Sequence, residues 1–200
     1  MFKTLNDLKT PDGSTKTFWS GNRVQDLNDI VEEALLTRSY WIWFISEEYG
    51  FEPDVLNALL SRNEAMVAPI VLEAEEPYLP TAWVDYDEKK GTSPLLLNQV
   101  IGPSSLVDVR GANVTGMLVR RAVFEAMSPP WFRLVNELET EDVYFCERAR
   151  EVGFNVFVDT ESRLSTLQVA SVMPRYAGGR WELGIDVGTD MFFTKTLKQT

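Results

Sequence analysis

From Asn22 onward the apolar residues fall at helical spacing. Val24, Leu27, Ile30, Val31, Ala34 and Leu35 make one stripe, with Gln25, Asp26, Asn28, Asp29, Glu32 and Glu33 largely off it. The period then changes to Trp41-Ile42-Trp43-Phe44-Ile45, a continuous apolar run of strand length that predicts a central parallel strand buried on both faces. Ser46-Glu47-Glu48 stands at its C-terminal end, and Pro53 opens a second helix through Leu60, proline being tolerated in a first turn. Met66 to Leu72 predicts another strand, in which Pro69 deletes a ladder donor and implies an edge position or a bulge. An acidic loop over 73–80 leads to a half-exposed alternating strand over 81–86. Charges, Pro and Gly over 87–103 predict a mobile connection. Two more strands, 107–109 and 114–119, flank Gly111-Ala112-Asn113, and Arg120-Arg121 starts a helix over 122–127.

The stretch from Glu139 to Asp159 is the most legible. Thr140 is placed to cap a helix whose first turn holds Glu141 and Asp142, where the positive end of the helix dipole favours acids. Val143, Phe145, Cys146, Ala149 and Val152 form its apolar side, Gly153 stops it, and Phe154 to Val158 reads as a buried strand ending at Asp159. Just before it, Pro129-Pro130-Trp131-Phe132-Arg133 is an aromatic loop. Trp131 there either stacks on a sugar face or anchors the loop to the core.

Composition narrows the chemistry. A 200-residue chain that is 44% hydrophobic is long enough for one well-buried domain and short for two, so a single domain over 1–200 is expected. A net charge of −11 disfavours binding to a nucleic-acid backbone. With no histidine, Ser-His and Cys-His catalysis and His-based zinc sites are excluded, and the one cysteine, Cys146, sits on an apolar helix face where it reads as core. The N-terminus has no basic segment followed by an apolar core and no run approaches a membrane span, so a cytoplasmic protein is expected.

Two runs resemble glycosyltransferases of the GT-A fold, particularly family-2-like enzymes and their short bacteriophage and bacterial relatives. Glu141-Asp142-Val143-Tyr144-Phe145-Cys146 through Asp159 fits the pattern E-D-V-x-F/L-C-x-[RK]-A-x-E-x-G-[FY]-x-[VI]-x-[VY]-D, and residues 41–56 fit W-[IVL]-x-F-[IL]-D-D-D-x-x-F-x-P-D-x-L except at the D-D-D triplet, where Ser46-Glu47-Glu48 stands. Gly116 to Glu125 also matches that family's L-[IV]-R-R-x-V-F-E segment. The resemblance covers about Asn22 to Thr166. It implies a single-domain α/β fold of GT-A (Rossmann-like) type, with a mixed, mostly parallel sheet flanked by helices. The family opens with a Val/Ile-rich strand that holds the nucleotide. Here residues 1–21 are polar and irregular, so either Thr15 to Ser20 supplies a poor version of that strand or the first βα unit is absent.

The same resemblance implies site roles. Asp142 takes the position of the general base, beside Glu141. Ser46-Glu47-Glu48 stands where the family carries the acidic triplet that holds Mn²⁺ or Mg²⁺ against a nucleotide-sugar diphosphate, which makes Glu48 a metal candidate and Glu47 a contact for ion or ribose. Thr166 stands where the relatives place a metal-binding histidine. Gly111 and Gly116 either let a sugar approach the backbone or serve a turn and close packing. Arg120 and Arg121 read as a solvated helix start or a phosphate clamp. Residues 167–200 read as a cover over the site or a homo-oligomer contact, with Arg175 and Arg180 able to meet a diphosphate. The implied function is transfer of a sugar from a nucleotide-sugar donor to a glycan, protein or other hydroxyl acceptor. The alternatives are a catalytically degenerate module that binds a sugar or nucleotide, and a structural or assembly protein; for a phage-encoded chain the location would be host cytoplasm.

Overall fold

The side chain of Asn22 accepts a hydrogen bond from the Gln25 N–H and so caps helix α1, Arg23–Leu36, whose Leu27 and Val31 are buried. In this computed structural model the described residues are 7–15, 17, 21–99, 106–167, 171–186 and 192–196. After α1 come strand β1 (Trp41–Trp43), β2 (Tyr49–Phe51), helix α2 (Val55–Arg62) and β3 (Met66–Ile70). The strands β4 (Ala82–Asp87), β5 (Gly91–Pro94), β6 (Leu106–Val109), β7 (Gly111–Ala112) and β8 (Leu118–Arg120) follow, then helices α3 (Arg121–Ala126) and α4 (Glu141–Glu151). The long strand β9 (Val156–Thr166) precedes β10 (Ser171–Ala177), β11 (Arg180–Asp186) and β12 (Phe192–Thr196).

A six-stranded sheet in the order β1-β8-β3-β9-β2, with β6 also on β9, organises the fold. Alternation splits its side chains between two layers. Met66, Ala68, Val119, Val156 and Val158 pack with Val31 of α1, Val123 and Phe124 of α3, and Val143, Phe145 and Ala149 of α4. Val67, Leu118 and Leu164 point the other way, against Val55, Leu56 and Leu59 of α2 and Phe51 of β2. The α/β class therefore holds, with helices on both faces of a mixed sheet.

The expectation of a mostly parallel sheet does not hold. Among the described residues the pairing of β3 with β9 is the one parallel pairing in this sheet, while β1 with β8, β3 with β8, β2 with β9 and β6 with β9 are antiparallel. The Trp41 to Ile45 run is correspondingly not a central parallel strand. Its ordered part, β1, lies at the end of the strand order and pairs only with β8 among the described residues. An apolar run reports burial on both faces, and here α1 and the α2 layer supply that burial although, among the described residues, a strand pairs on one side alone. Pro69 marks a register shift between Pro69 and Ile70, the bulge alternative, but β3 is flanked by β8 and β9 and is no edge.

The connection expected to be mobile holds a hairpin: β4 pairs antiparallel with β5, and the Asp87 side chain accepts from the N–H groups of Lys89 and Lys90 to close the turn. Helix α4 runs as expected from Thr140 to a stop before Gly153, whose φ is +93°. Thr140 makes no side-chain cap, and Val152 is exposed rather than part of the buried face. The described residues before α1 form no strand, and Phe18-Trp19 with most of Thr15 to Ser20 lies outside the described residues. Beyond β9, strands β10, β11 and β12 make a separate antiparallel sheet. No helix among the described residues is long and apolar enough to cross a membrane.

Candidate functional site

The turn that follows β1 is built by its own residues. The Ser46 hydroxyl accepts from the Glu48 N–H at 3.2 Å and its carbonyl accepts from Tyr49 N–H at 3.3 Å, so Ser46 is spent on closing the turn. The chain then pairs as β2 with the end of β9, with Tyr49 opposite Thr166, and the Leu167 N–H donates to the Glu48 carbonyl at 2.7 Å. That pairing brings Glu48 and Thr166 to the same cleft, about 350 Å³ in volume, whose lining also includes Tyr49, Glu73, Glu75 and Thr81. Glu47 is exposed in the turn and is not part of that lining. The Thr166 hydroxyl donates to the Leu72 carbonyl at 3.0 Å, which fixes its oxygen and leaves lone pairs for another partner.

Asp142 is 8% exposed. Its carboxylate accepts from the Val114 N–H at 2.9 Å and from the Arg23 guanidinium, with both oxygens 3.2 Å from Nη2. Arg23 donates in addition to Glu141, to the Thr115 hydroxyl at 3.0 Å and to the Asn113 side-chain oxygen at 3.2 Å. The first residue of α1, the loop after β7 and the first turn of α4 thus meet in one polar knot. Burial pushes the Asp142 carboxyl up to about 6, against the opposing pull of Arg23 and the Val114 N–H. A carboxylate with that value is held mainly as the base at neutral pH, close to the point of proton exchange.

Tyr49 connects the two places. Burial raises the pKa of its phenol, the Arg23 charge opposes that rise, and the charges of Asp142 and Glu48 add to it. Glu48 and Tyr49 line the open cleft, whereas Asp142 lies outside that lining, held by Arg23 and the Val114 N–H.

Other expected site residues are placed elsewhere. Trp131 is 5% exposed; its Nε1 donates to the Phe124 carbonyl at 2.9 Å and its ring meets Phe124 edge-on, so it has no face for a sugar. Gly111 is buried, and a Cβ there would stand 2.3 Å from Trp83 Cζ2 and 2.9 Å from Cys146 Cβ. It makes room for an indole rather than a substrate. Gly116, at φ +107°, spends its N–H on Phe44 and its carbonyl on Trp43 Nε1, and a Cβ would meet Leu164 at 3.0 Å. It binds the β8 loop to the end of β1. Arg175 is exposed on β10 opposite Glu182, and Arg180 follows the Gly178-Gly179 turn with its side chain outside the described residues. Arg23, Tyr49, Glu73 and Glu75 were not singled out by sequence; Arg23 is one charged residue after a helix cap, with nothing to mark a bond across 119 positions to Asp142.

Among the described residues no three His, Cys, Asp or Glu side chains group so as to hold a metal. The carboxylate of Glu48 and the hydroxyl of Thr166, the two donors that the resemblance marks, share the cleft with the carboxylates of Glu73 and Glu75 and the hydroxyl of Thr81, all hard oxygens. Mg²⁺ and Mn²⁺ are commonly held by one or two such groups together with substrate phosphates. These residues fit an ion that arrives with a diphosphate and do not build a cage of their own. The glutamates around the cleft would repel a bare diphosphate, which points the same way.

No family model matches this sequence, and no curated protein matches it. Its fold is similar to the crystal structure of A197 from STIV, with a TM-score of 0.51 over 90% of this chain and 80% of that one, at 10% identity. That likeness concerns the fold alone.

Proposed function

We propose that this chain is a glycosyltransferase with a GT-A-type arrangement, which moves a sugar from a nucleotide-sugar donor to a hydroxyl acceptor. The observation that carries the reading is the pairing of β2 with β9, which brings Glu48 and Thr166 into one cleft beside Tyr49, whose phenol feels the charge of Asp142. Glu48 and Thr166 would hold a divalent ion, and that ion when bound neutralises the leaving diphosphate. Asp142 accepts the proton of the attacking hydroxyl, with a pKa of about 6 suited to that task. Arg23 keeps the carboxylate oriented and ties it to Glu141. The neutral hydroxyls and carboxylates of the cleft suit the hydroxyl groups of a sugar as hydrogen-bond partners.

A second reading, a module that binds a donor without turnover, is favoured by the same Arg23, because both Asp142 oxygens are already engaged. Calorimetry with UDP and GDP, with and without Mn²⁺, combined with an assay of UDP-sugar hydrolysis, separates the two. Mn²⁺-dependent binding with hydrolysis that Asp142→Asn abolishes supports the enzyme. Binding with no hydrolysis supports the module, and absence of nucleotide binding in any condition removes both.

A further inference from the structure

At the N-terminal end of β1, away from Glu48, a second cleft of about 490 Å³ is lined by Tyr40, Trp41, Asn63, Arg120, Arg121 and Glu125. Its charge is opposite to that of the first. Arg121 is paired with Glu125 one helical turn on, at 2.6 Å, while Arg120 has no carboxylate partner among the described residues. Arg120 is nevertheless fixed in place. Its Nη2 donates to the Asn63 carbonyl at 2.6 Å and to the Asn63 side-chain oxygen at 2.7 Å, and its guanidinium lies 4.8 Å over the Trp41 ring. Among the described residues Nε and Nη1 make no hydrogen bond, so a positioned cation presents unspent donors to the cleft. Beside it Tyr40 is 83% exposed, an aromatic ring that the described residues leave open.

We propose that this cleft binds a phosphate monoester bearing a planar ring, such as a nucleoside monophosphate, with the phosphate on Arg120 and the ring against Tyr40. An overall charge of −11 repels anions from most of the surface, and three glutamates line the cleft at the other end of β1. A preformed guanidinium with free N–H groups works against that repulsion. The stacking surface then selects an anion with a planar body over a bare one. The site is independent of the transferase reading, because it shares no residue with the Glu48 cleft.

The test is calorimetry of the whole chain with AMP and, separately, with inorganic phosphate. AMP binding is expected to weaken at least about tenfold in Arg120→Met, through loss of charge-assisted bonds. It should weaken about fivefold in Tyr40→Ala, which leaves phosphate binding unchanged. Glu48→Gln should leave AMP affinity unaltered. No heat with AMP in the millimolar range overturns the proposal, as does AMP affinity insensitive to Tyr40→Ala, or affinity lost in Glu48→Gln instead. Where Arg120→Met fails to fold, Tyr40→Ala decides the matter, since that exposed ring contributes little to the fold.

Discussion

Asp142 and Asp159 are both buried, and both are paired with an arginine from a distant helix, yet they are finished differently. Asp159 is 0% exposed; Arg62 grips it with Nε and Nη2 at 3.0 Å each, the Ser162 hydroxyl donates at 2.6 Å and the Glu161 N–H at 3.1 Å. Every lone-pair direction has a protein donor. Asp142 takes one backbone N–H and a longer contact to Arg23, which divides its donors among Glu141, Thr115 and Asn113 as well. The saturated carboxylate locks the end of α2 to β9. The under-satisfied one stays poised near neutral pH, which is what a proton acceptor needs and a structural ion pair does not.

The largest effect is expected from Arg62→Ala. It strands Asp159 without its counter-charge, at a cost of about 3–5 kcal/mol in urea unfolding. A loss below about 1 kcal/mol would mean that Asp159 is less committed than its geometry implies.

The pH dependence comes next. The folded-state pKa of Asp142 is raised from 3.8 to about 6, so the folded state binds this proton more tightly than the unfolded one. The contribution of this group is therefore greatest below pH 4 and is lost as pH rises through 6, by at most about 3 kcal/mol. Asp142→Asn should flatten that part of the stability profile between pH 4 and 7 while keeping the fold; an unchanged profile would place the titration elsewhere.

The smallest stability effect is expected from Arg23→Ala, about 1–2 kcal/mol, because Asp142 retains the Val114 N–H and an edge toward solvent. The same variant should raise the pKa of Asp142 further, read by the ¹³C shift of its carboxyl. A loss equal to that of Arg62→Ala would erase the distinction between the two sites.

Much of this arrangement was legible from local pattern. The stripe after Asn22, the stop at Gly153 and the meeting of residues near Glu48 and Thr166 all follow from short-range rules or from the family resemblance. Pairing direction was not legible, because an apolar strand carries no record of its neighbour; β1 reads as central although only β8 pairs with it among the described residues. Trp131 shows another limit. Its loop is drawn inward by Asn28, which accepts from the N–H groups of Trp131 and Phe132 and donates to the Phe132 carbonyl. By its spacing Asn28 falls on the polar side of α1, where nothing in sequence distinguishes a solvated amide from one that pins a loop. Arg23 escaped for the same reason, since a knot of side chains from three elements leaves no spacing to read.

The most direct test is a crystal structure of the chain soaked with UDP and Mn²⁺. The account predicts an ion within coordination distance of a Glu48 oxygen, with the diphosphate in the cleft between Glu48 and Thr166 and Asp142 facing the same space. Nucleotide bound elsewhere, or an ion that ignores Glu48, would contradict it.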